Sequence, residues 1–282
     1  QSLFVCMLCM LLTTTLVGCG KGTGRTLTSA TGSVYECLVV MNDVPLTQEQ
    51  LNEVAKLSLV NMASGYAKQI ATTYDLVDAV MAADMPCMPQ VEPYFRITNV
   101  SMSHFDDMFK PTRNILFVDI NPQKYTQLKT KVSRDYWSKP QAVCRIQSPS
   151  QEDFVAYWLA HGEEIREWFV GQEIQRQTKF YRASTNKDAR ALMQKQGYDM
   201  LIPEDYIVLM DTVLAGATTY SLHQPIILED EVRVLWCCNN KGSMRRDIIV
   251  YSYPYTDVNT FTLEFLNEKR DAVLSRIVKG SV

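Results

Sequence analysis

Ser184-Thr-Asn-Lys187 sets a serine and a lysine three residues apart. At that spacing a lysine amine one helical turn away can lower the cost of deprotonating a serine nucleophile. Enzymes that acylate a serine in this way also need Ser-Asp-Asn and Lys-Thr-Gly elements, and neither occurs in the sequence. The same four residues have an ordinary role in opening a helix. The three histidines, His104, His161 and His223, form neither His-x-His nor His-Glu-x-x-His. His161 and Glu164 lie one turn apart and supply at most half a metal site, and such a pair is more often a solvated helix face. Asp106-Asp107, Glu163-Glu164 and Glu229-Asp-Glu231 are sequence neighbours that do not oppose one another as an acid and base must, so they read as solvated surface. No Gly-x-Ser-x-Gly is present. No catalytic residue, metal ligand or cofactor is expected.

The most individual segment is Arg245-Arg-Asp-Ile-Ile-Val-Tyr-Ser-Tyr-Pro-Tyr-Thr-Asp257. Tyr251, Tyr253 and Tyr255 alternate and would share one face of a strand. Pro254 cannot donate to a ladder, so the strand ends there or lies at an edge. One reading is a packing face under the C-terminal helix. The sharper one is an aromatic platform for sugar or peptide beside Lys241, Arg245 and Arg246, because aromatic faces bury area while hydroxyls hydrogen-bond.

These residues need elements to hold them. Val34 to Met41 reads as a strand. Thr47-x-x-Gln50 is a capping box for a helix with Leu51, Val54 and Leu57 on one face. A second helical piece is expected from Tyr74 to Ala83, and the prolines from Met85 to Pro93 force an extended passage. Asn114 to Ile120 is almost continuously apolar, the mark of a strand buried on both faces. Gln141 to Ile146 is the next strand, and Ser150-x-x-Asp153 caps a long helix whose Phe154, Tyr157, Trp158, Ile165, Trp168 and Phe169 fall at spacings of three and four. Thr185-x-x-Asp188 opens a shorter helix closed by Gly197. Tyr206 to Met210 is a strand, Val232 to Cys238 and Asp247 to Tyr253 a hairpin, and Phe261 to Ile277 an amphipathic helix. Strands and helices are intermixed around a hairpin, which predicts an α+β fold: a mixed or mostly antiparallel sheet with several packed amphipathic helices. A subdivision could fall near residues 197–203.

The chain has 282 residues, 46% of them hydrophobic, enough for a core, and a net charge of −3 that gives no reason to expect nucleic acid. Its start departs from the average. Leu3 to Leu12 is an unbroken apolar run, about half the ~20 residues a spanning helix needs, and fits the hydrophobic region of a signal peptide. Leu16-Val17-Gly18-Cys19 then resembles the lipobox of bacterial lipoproteins. The resemblance implies cleavage after Gly18 and a thioether from Cys19 to diacylglycerol. Residues 1–18 are thus read as signal peptide, 19–32 as a lipidated flexible tether, and 33–282 as an envelope domain. No Lys or Arg precedes Lys21 and the first residue is Gln1, so the sequence is expected to be truncated at its start. No acidic run follows Cys19; in the bacterial group that the family resemblance given below implies, such a run tends to send lipoproteins to the cell surface, so the periplasmic side of an outer membrane is expected.

Of the eight cysteines, Cys6 and Cys9 leave with the signal peptide and Cys19 takes lipid. The remaining Cys37, Cys87, Cys144, Cys237 and Cys238 are odd in number, with no Cys-x-x-Cys, and are read as free core thiols; one disulfide is the alternative.

Several stretches resemble the Bacteroidota lipoproteins grouped as domain of unknown function 4837: Met85 to Phe95, Phe109 to Ile120, Asp135 to Gln141, and most specifically Ile248 to Phe261. The resemblance implies an envelope lipoprotein with no activity assigned. It also implies a family portion beyond Val282. The sequence reads as a lipid-anchored binding or interaction module rather than an enzyme, partnered by a membrane and by a protein or glycan. An envelope hydrolase completed by a C-terminal portion and a purely structural lipoprotein remain open.

Overall fold

The computed structural model describes residues 27–56, 70–86, 88, 90–214, 217–221, 224–228, 231–255 and 258–278. The chain divides into two compact units, Gln1–Glu173 and Ile174–Val282. The first contains β1 (Thr28–Ser29), β2 (Glu36–Met41), α1 (Gln48–Lys56), α2 (Thr73–Met81), β3 (Arg96–Val100), β4 (Asn114–Ile120), β5 (Lys129–Arg134), β6 (Ser138–Lys139) and β7 (Ala142–Ser148). It takes in most of α3 (Gln151–Ala183), which crosses the boundary.

β3, β2, β4, β7 and β5 form one sheet in that order; the first four run parallel and β5 is antiparallel to β7. Parallel strands need both faces covered, and the alternation of β2 supplies both. Cys37, Val39 and Met41 join the larger core with Leu116, Cys144, Phe154, Trp158 and Phe169. Leu38 and Val40 face the other way, with Ile115, Phe117 and Val143. Helices cover the first face, while the second lies under Val100, Met102, Phe105, Phe109 and Trp137 from loops and strand ends. Trp158, fully buried, donates from Nε1 to the carbonyl of Leu76 at 3.2 Å. Gly162 sits one turn on because a Cβ there would lie 3.0 Å from the indole. At the end of this unit, buried Glu173 accepts from Arg113 at 2.7 Å and from Asn114 at 2.6 Å, tying α3 to the start of β4.

The local signals hold closely. Thr47 and Gln50 exchange the two bonds of a capping box at 2.9 and 3.3 Å. Ser150 accepts from the Asp153 amide at 3.0 Å. Burial raises the thiol of Cys37, and pushes that of Cys144 up to about 12. Cys37, Cys144, Cys237 and Cys238 are free and buried, and Cys87 lies outside the described residues. Two readings change. Thr28 and Ser29, expected to be flexible tether, form β1 and pair in parallel with Ser138 and Lys139. The helix after α3 is capped by Asn186, whose side chain accepts from Ala189 at 2.9 Å, and not by Thr185, whose hydroxyl donates to the carbonyl of Ile202.

The second unit contains α4 (Lys187–Lys195), β8 (Ile207–Leu214), β9 (Ala217–Ser221), β10 (Gln224–Leu228), β11 (Val232–Asn239), β12 (Arg246–Ser252) and α5 (Leu263–Ile277). Residues 197–203 lie inside it, where Gly197 at φ +88° ends the α4 turn. β12, β11 and β8 form an antiparallel sheet in that order, and β9 and β10 a separate hairpin. α5 packs on one face, burying Val232, Val234, Ala272 and Val273. Ala189 and Met193 of α4 cover Leu235 and Cys237 on the other. The faces exchange cleanly because β8 carries an irregularity opposite Trp236 and Cys237. With a mixed sheet in one unit and antiparallel sheets in the other, the fold is α+β.

Candidate ligand surface on the second unit

β12 ends at Ser252, so Tyr251 is the one tyrosine of the alternating three inside the strand; the others follow it. Tyr251 lies opposite Val234 and packs under α5, and burial raises its phenol pKa. Tyr253 stacks on Tyr251 with ring centres 6.2 Å apart and carries the Lys269 amine 5.1 Å above its ring. Tyr255 is 61% exposed and stacks at 5.3 Å on Phe261, itself 72% exposed. The single platform expected from alternation is therefore a packed residue, a rim residue and an exposed aromatic pair.

The arginines separate as well. Arg245 bonds the Asp247 carboxylate and lies 5.2 Å over the Trp236 ring. Bonds from Arg245 hold that carboxyl below its ordinary range, against burial, which opposes them. Arg246 pairs with Asn239 and, by alternation, points away from the face of Tyr251. The basic and aromatic candidates do not converge on one point.

A different group does. α4 covers the sheet as far as the row of Leu235 and Asp211, where Gln196 reaches Asp211 at 3.4 Å. The next row, Val213, Arg233 and Ser252, crosses all three strands. It forms the floor of an open cavity of about 300 Å³ closed at the rim by Glu231, Tyr253 and Pro254. Arg233 lies 3.6 Å from Asp211 and stays nearly half exposed. A guanidinium, a carboxylate, a hydroxyl and a phenol thus border a small apolar floor. The sequence pointed to Tyr253 and, within an acidic run, to Glu231. Arg233 and Ser252 carried no local signal beyond strand alternation.

Ser184 and Lys187 do not share a helix. Ser184 follows the last residue of α3 and Lys187 is the first of α4, with the Asn186 cap between them. His161 Nδ1 and Glu164 Oε2 are 3.1 Å apart on an exposed helix face. No group of three metal-ligating side chains is found among the described residues. His223 and the first two acids of Glu229-Asp-Glu231 lie outside them. So does Cys19.

Residues 184–282 match the family model of a domain of unknown function (DUF4837), which takes in the cavity and the segment from Ile248 to Phe261. Residues 53–182 match a second such model (DUF8532). The stretches Met85 to Phe95, Phe109 to Ile120 and Asp135 to Gln141 fall in that second match. The two matches meet beside the end of α3. No curated protein and no solved structure matches the chain.

Proposed function

We propose that the chain is a cell-envelope protein anchored through lipid on Cys19, on the periplasmic side of an outer membrane, and that its second unit is a binding module for a protein or glycan partner. The open cavity carries the binding reading: Glu231, Arg233, Ser252 and Tyr253 surround about 300 Å³, the lower end of the range for small-ligand sites. That space takes one sugar ring or one or two side chains of a peptide. Arg233 offers a charged planar donor, Tyr253 an aromatic face with a hydroxyl, and Val213 in the floor and Pro254 at the rim offer apolar surface. The exposed Tyr255 and Phe261 pair adds aromatic area nearby in sequence.

The anchor reading is supported by the apolar run Leu3 to Leu12 followed by Leu16-Val-Gly-Cys19. Mass spectrometry of the protein from a membrane fraction is expected to find an N-terminal peptide that begins at a diacylated Cys19; an unmodified Cys19 rejects the anchor. For binding, a glycan array and a pulldown from envelope extract compare the native protein with an Arg233→Ala/Tyr253→Ala variant. A ligand held by the native protein and lost by the variant supports the reading. Absence of any ligand, or equal retention by the variant, rejects it.

A further inference from the structure

Thr28 and Ser29 run parallel to Ser138 and Lys139, so Leu27, the first described residue, lies at the end of β6 that Tyr136 and Trp137 lead into. Further bonds fix this segment: Ala30 donates to the Lys139 carbonyl at 3.0 Å, Thr31 to that of Pro111 at 2.9 Å, and Arg113 to that of Thr31 at 2.9 Å. From Cys19 to Leu27 the chain has eight peptide steps, which span no more than about 30 Å even fully extended. A unit of this length is about 40 Å across. An anchor at Cys19 therefore cannot reach around the first unit, so the side that carries Tyr136 cannot face directly away from the membrane.

That side has the chemistry of a lipid contact. Between Asp106 and Arg145 there are eight Lys and Arg residues against four aspartates, in a chain whose net charge is −3, and of the eight Lys110, Arg113, Lys124 and Lys139 are ion-paired. Lys131 lies directly opposite Arg145 across β5 and β7, and Lys129 opposite Gln147, so all four share a face. Neither lysine has a carboxylate partner among the described residues. Arg145 sits 4.2 Å over the Tyr136 ring and 5.1 Å over that of Trp137. Tyr136 is 45% exposed, and Trp137 rests on Phe105 and Phe117. Asp135, at φ +52°, makes the turn that presents this pair, its carboxylate accepting from Gln141 at 3.0 Å. The loop before β4 leaves Met108 73% exposed. Lysines on an outer strand also guard against edge-to-edge pairing. That purpose explains neither a lysine facing an arginine, which costs stability, nor an exposed tyrosine stacked on that arginine.

We infer that the first unit docks on an anionic phospholipid surface through Lys129, Lys131 and Arg145, with Tyr136 at headgroup level. Aromatic rings with polar edges settle at that depth, and juxtamembrane cations are drawn to anionic headgroups. The orientation of the face rests on the lipid-anchor reading; the affinity of the face for lipid does not.

The test uses the chain from residue 19 with Cys19→Ser, which keeps every described residue and removes the acyl group. It is sedimented with phosphatidylglycerol–phosphatidylcholine vesicles and with phosphatidylcholine vesicles alone. Binding to the mixed vesicles only, weakened by salt, is expected. Lys129→Ala/Lys131→Ala should weaken it about thirtyfold, from two surface lysines, with an unchanged circular dichroism spectrum. Lys187→Ala/Lys195→Ala makes the same change of charge on α4 and should have no effect. No binding by the Cys19→Ser protein overturns the inference, as does an equal loss in both variants, which would reduce the effect to net charge. Equal affinity for soluble dextran sulfate and vesicles would overturn it too, by assigning the face to an anionic polymer. An unmodified Cys19 in the native protein would remove the anchor while leaving the vesicle result to stand or fall by itself.

Discussion

The two units solve the problem of covering a sheet in different ways. In the first, β2, β4 and β7 lie inside a mostly parallel sheet, and both faces are sealed, one by helices and one by aromatic loops. In the second, a three-stranded antiparallel sheet is sealed by α5 on one face but only partly by α4 on the other. The uncovered row Val213, Arg233 and Ser252 is the floor of the cavity. A short helix over a sheet leaves backbone that is already satisfied by its ladder and side chains free to meet a ligand. A parallel sheet of near-continuous apolar strands has no such freedom, because any uncovered row would expose several large side chains to water. The first unit accordingly offers its outer surface, and the second a recess.

This contrast can be broken by substitution. Trp158→Ala should cost about 4 kcal/mol, the loss for a large buried aromatic. The loss should appear in denaturant unfolding and concentrate, by hydrogen exchange, in the amides of β2, β4 and β7; a loss under half that size would mean the first core repacks easily. Arg113→Ala removes the charged partner of the fully buried Glu173 and leaves it the Asn114 amide, and should cost about 3 kcal/mol. Arg113→Ala/Glu173→Gln should recover part of this, and a double variant no better than the single one would show that the pair is not the source. Thr72 caps α2 by accepting from the Asp75 amide at 3.1 Å, as Asn186 caps α4; Thr72→Ala and Asn186→Ala remove one helix cap in each unit and should cost about 1 kcal/mol each. They serve as matched controls, and a large inequality would show that one unit is the weaker. Arg233→Ala on the open row should change stability by no more than about 0.5 kcal/mol while abolishing the binding sought in the second unit. Marked destabilisation by that change would turn the cavity floor into structure.

Much of the fold was legible because its signals are local. β4 was bounded to the residue by the run from Asn114 to the Asn121-Pro122 stop. The caps at Thr47 and Ser150 worked because a hydroxyl three residues ahead of its partner amide needs only the helix itself. Asn186 displaced Thr185 because Thr185 found a distant acceptor at Ile202, a contact no spacing rule contains. For the same reason the β1 pairing of Thr28 and Ser29 was invisible: two paired residues are too few to show a strand period, and their partner lies more than a hundred residues away. Of the two readings of the alternating tyrosines, a packing face under the C-terminal helix describes Tyr251 and Tyr253, while Tyr255 lies beyond the strand, which ends at Ser252.

The sequence by itself determined the apolar strands, the helix caps at Thr47 and Ser150 and the segment that matches DUF4837. Each depends on residues within a few positions of one another, so that chain chemistry settles it. Only the tertiary structure decided where helix cover ends on the second sheet, and hence that Arg233 and Ser252 rather than Arg246 share a recess with Tyr253. Only it placed Leu27 at the end of β6 that Tyr136 and Trp137 lead into. Those outcomes depend on how far one element extends over another, a property of packing geometry that no window of sequence records.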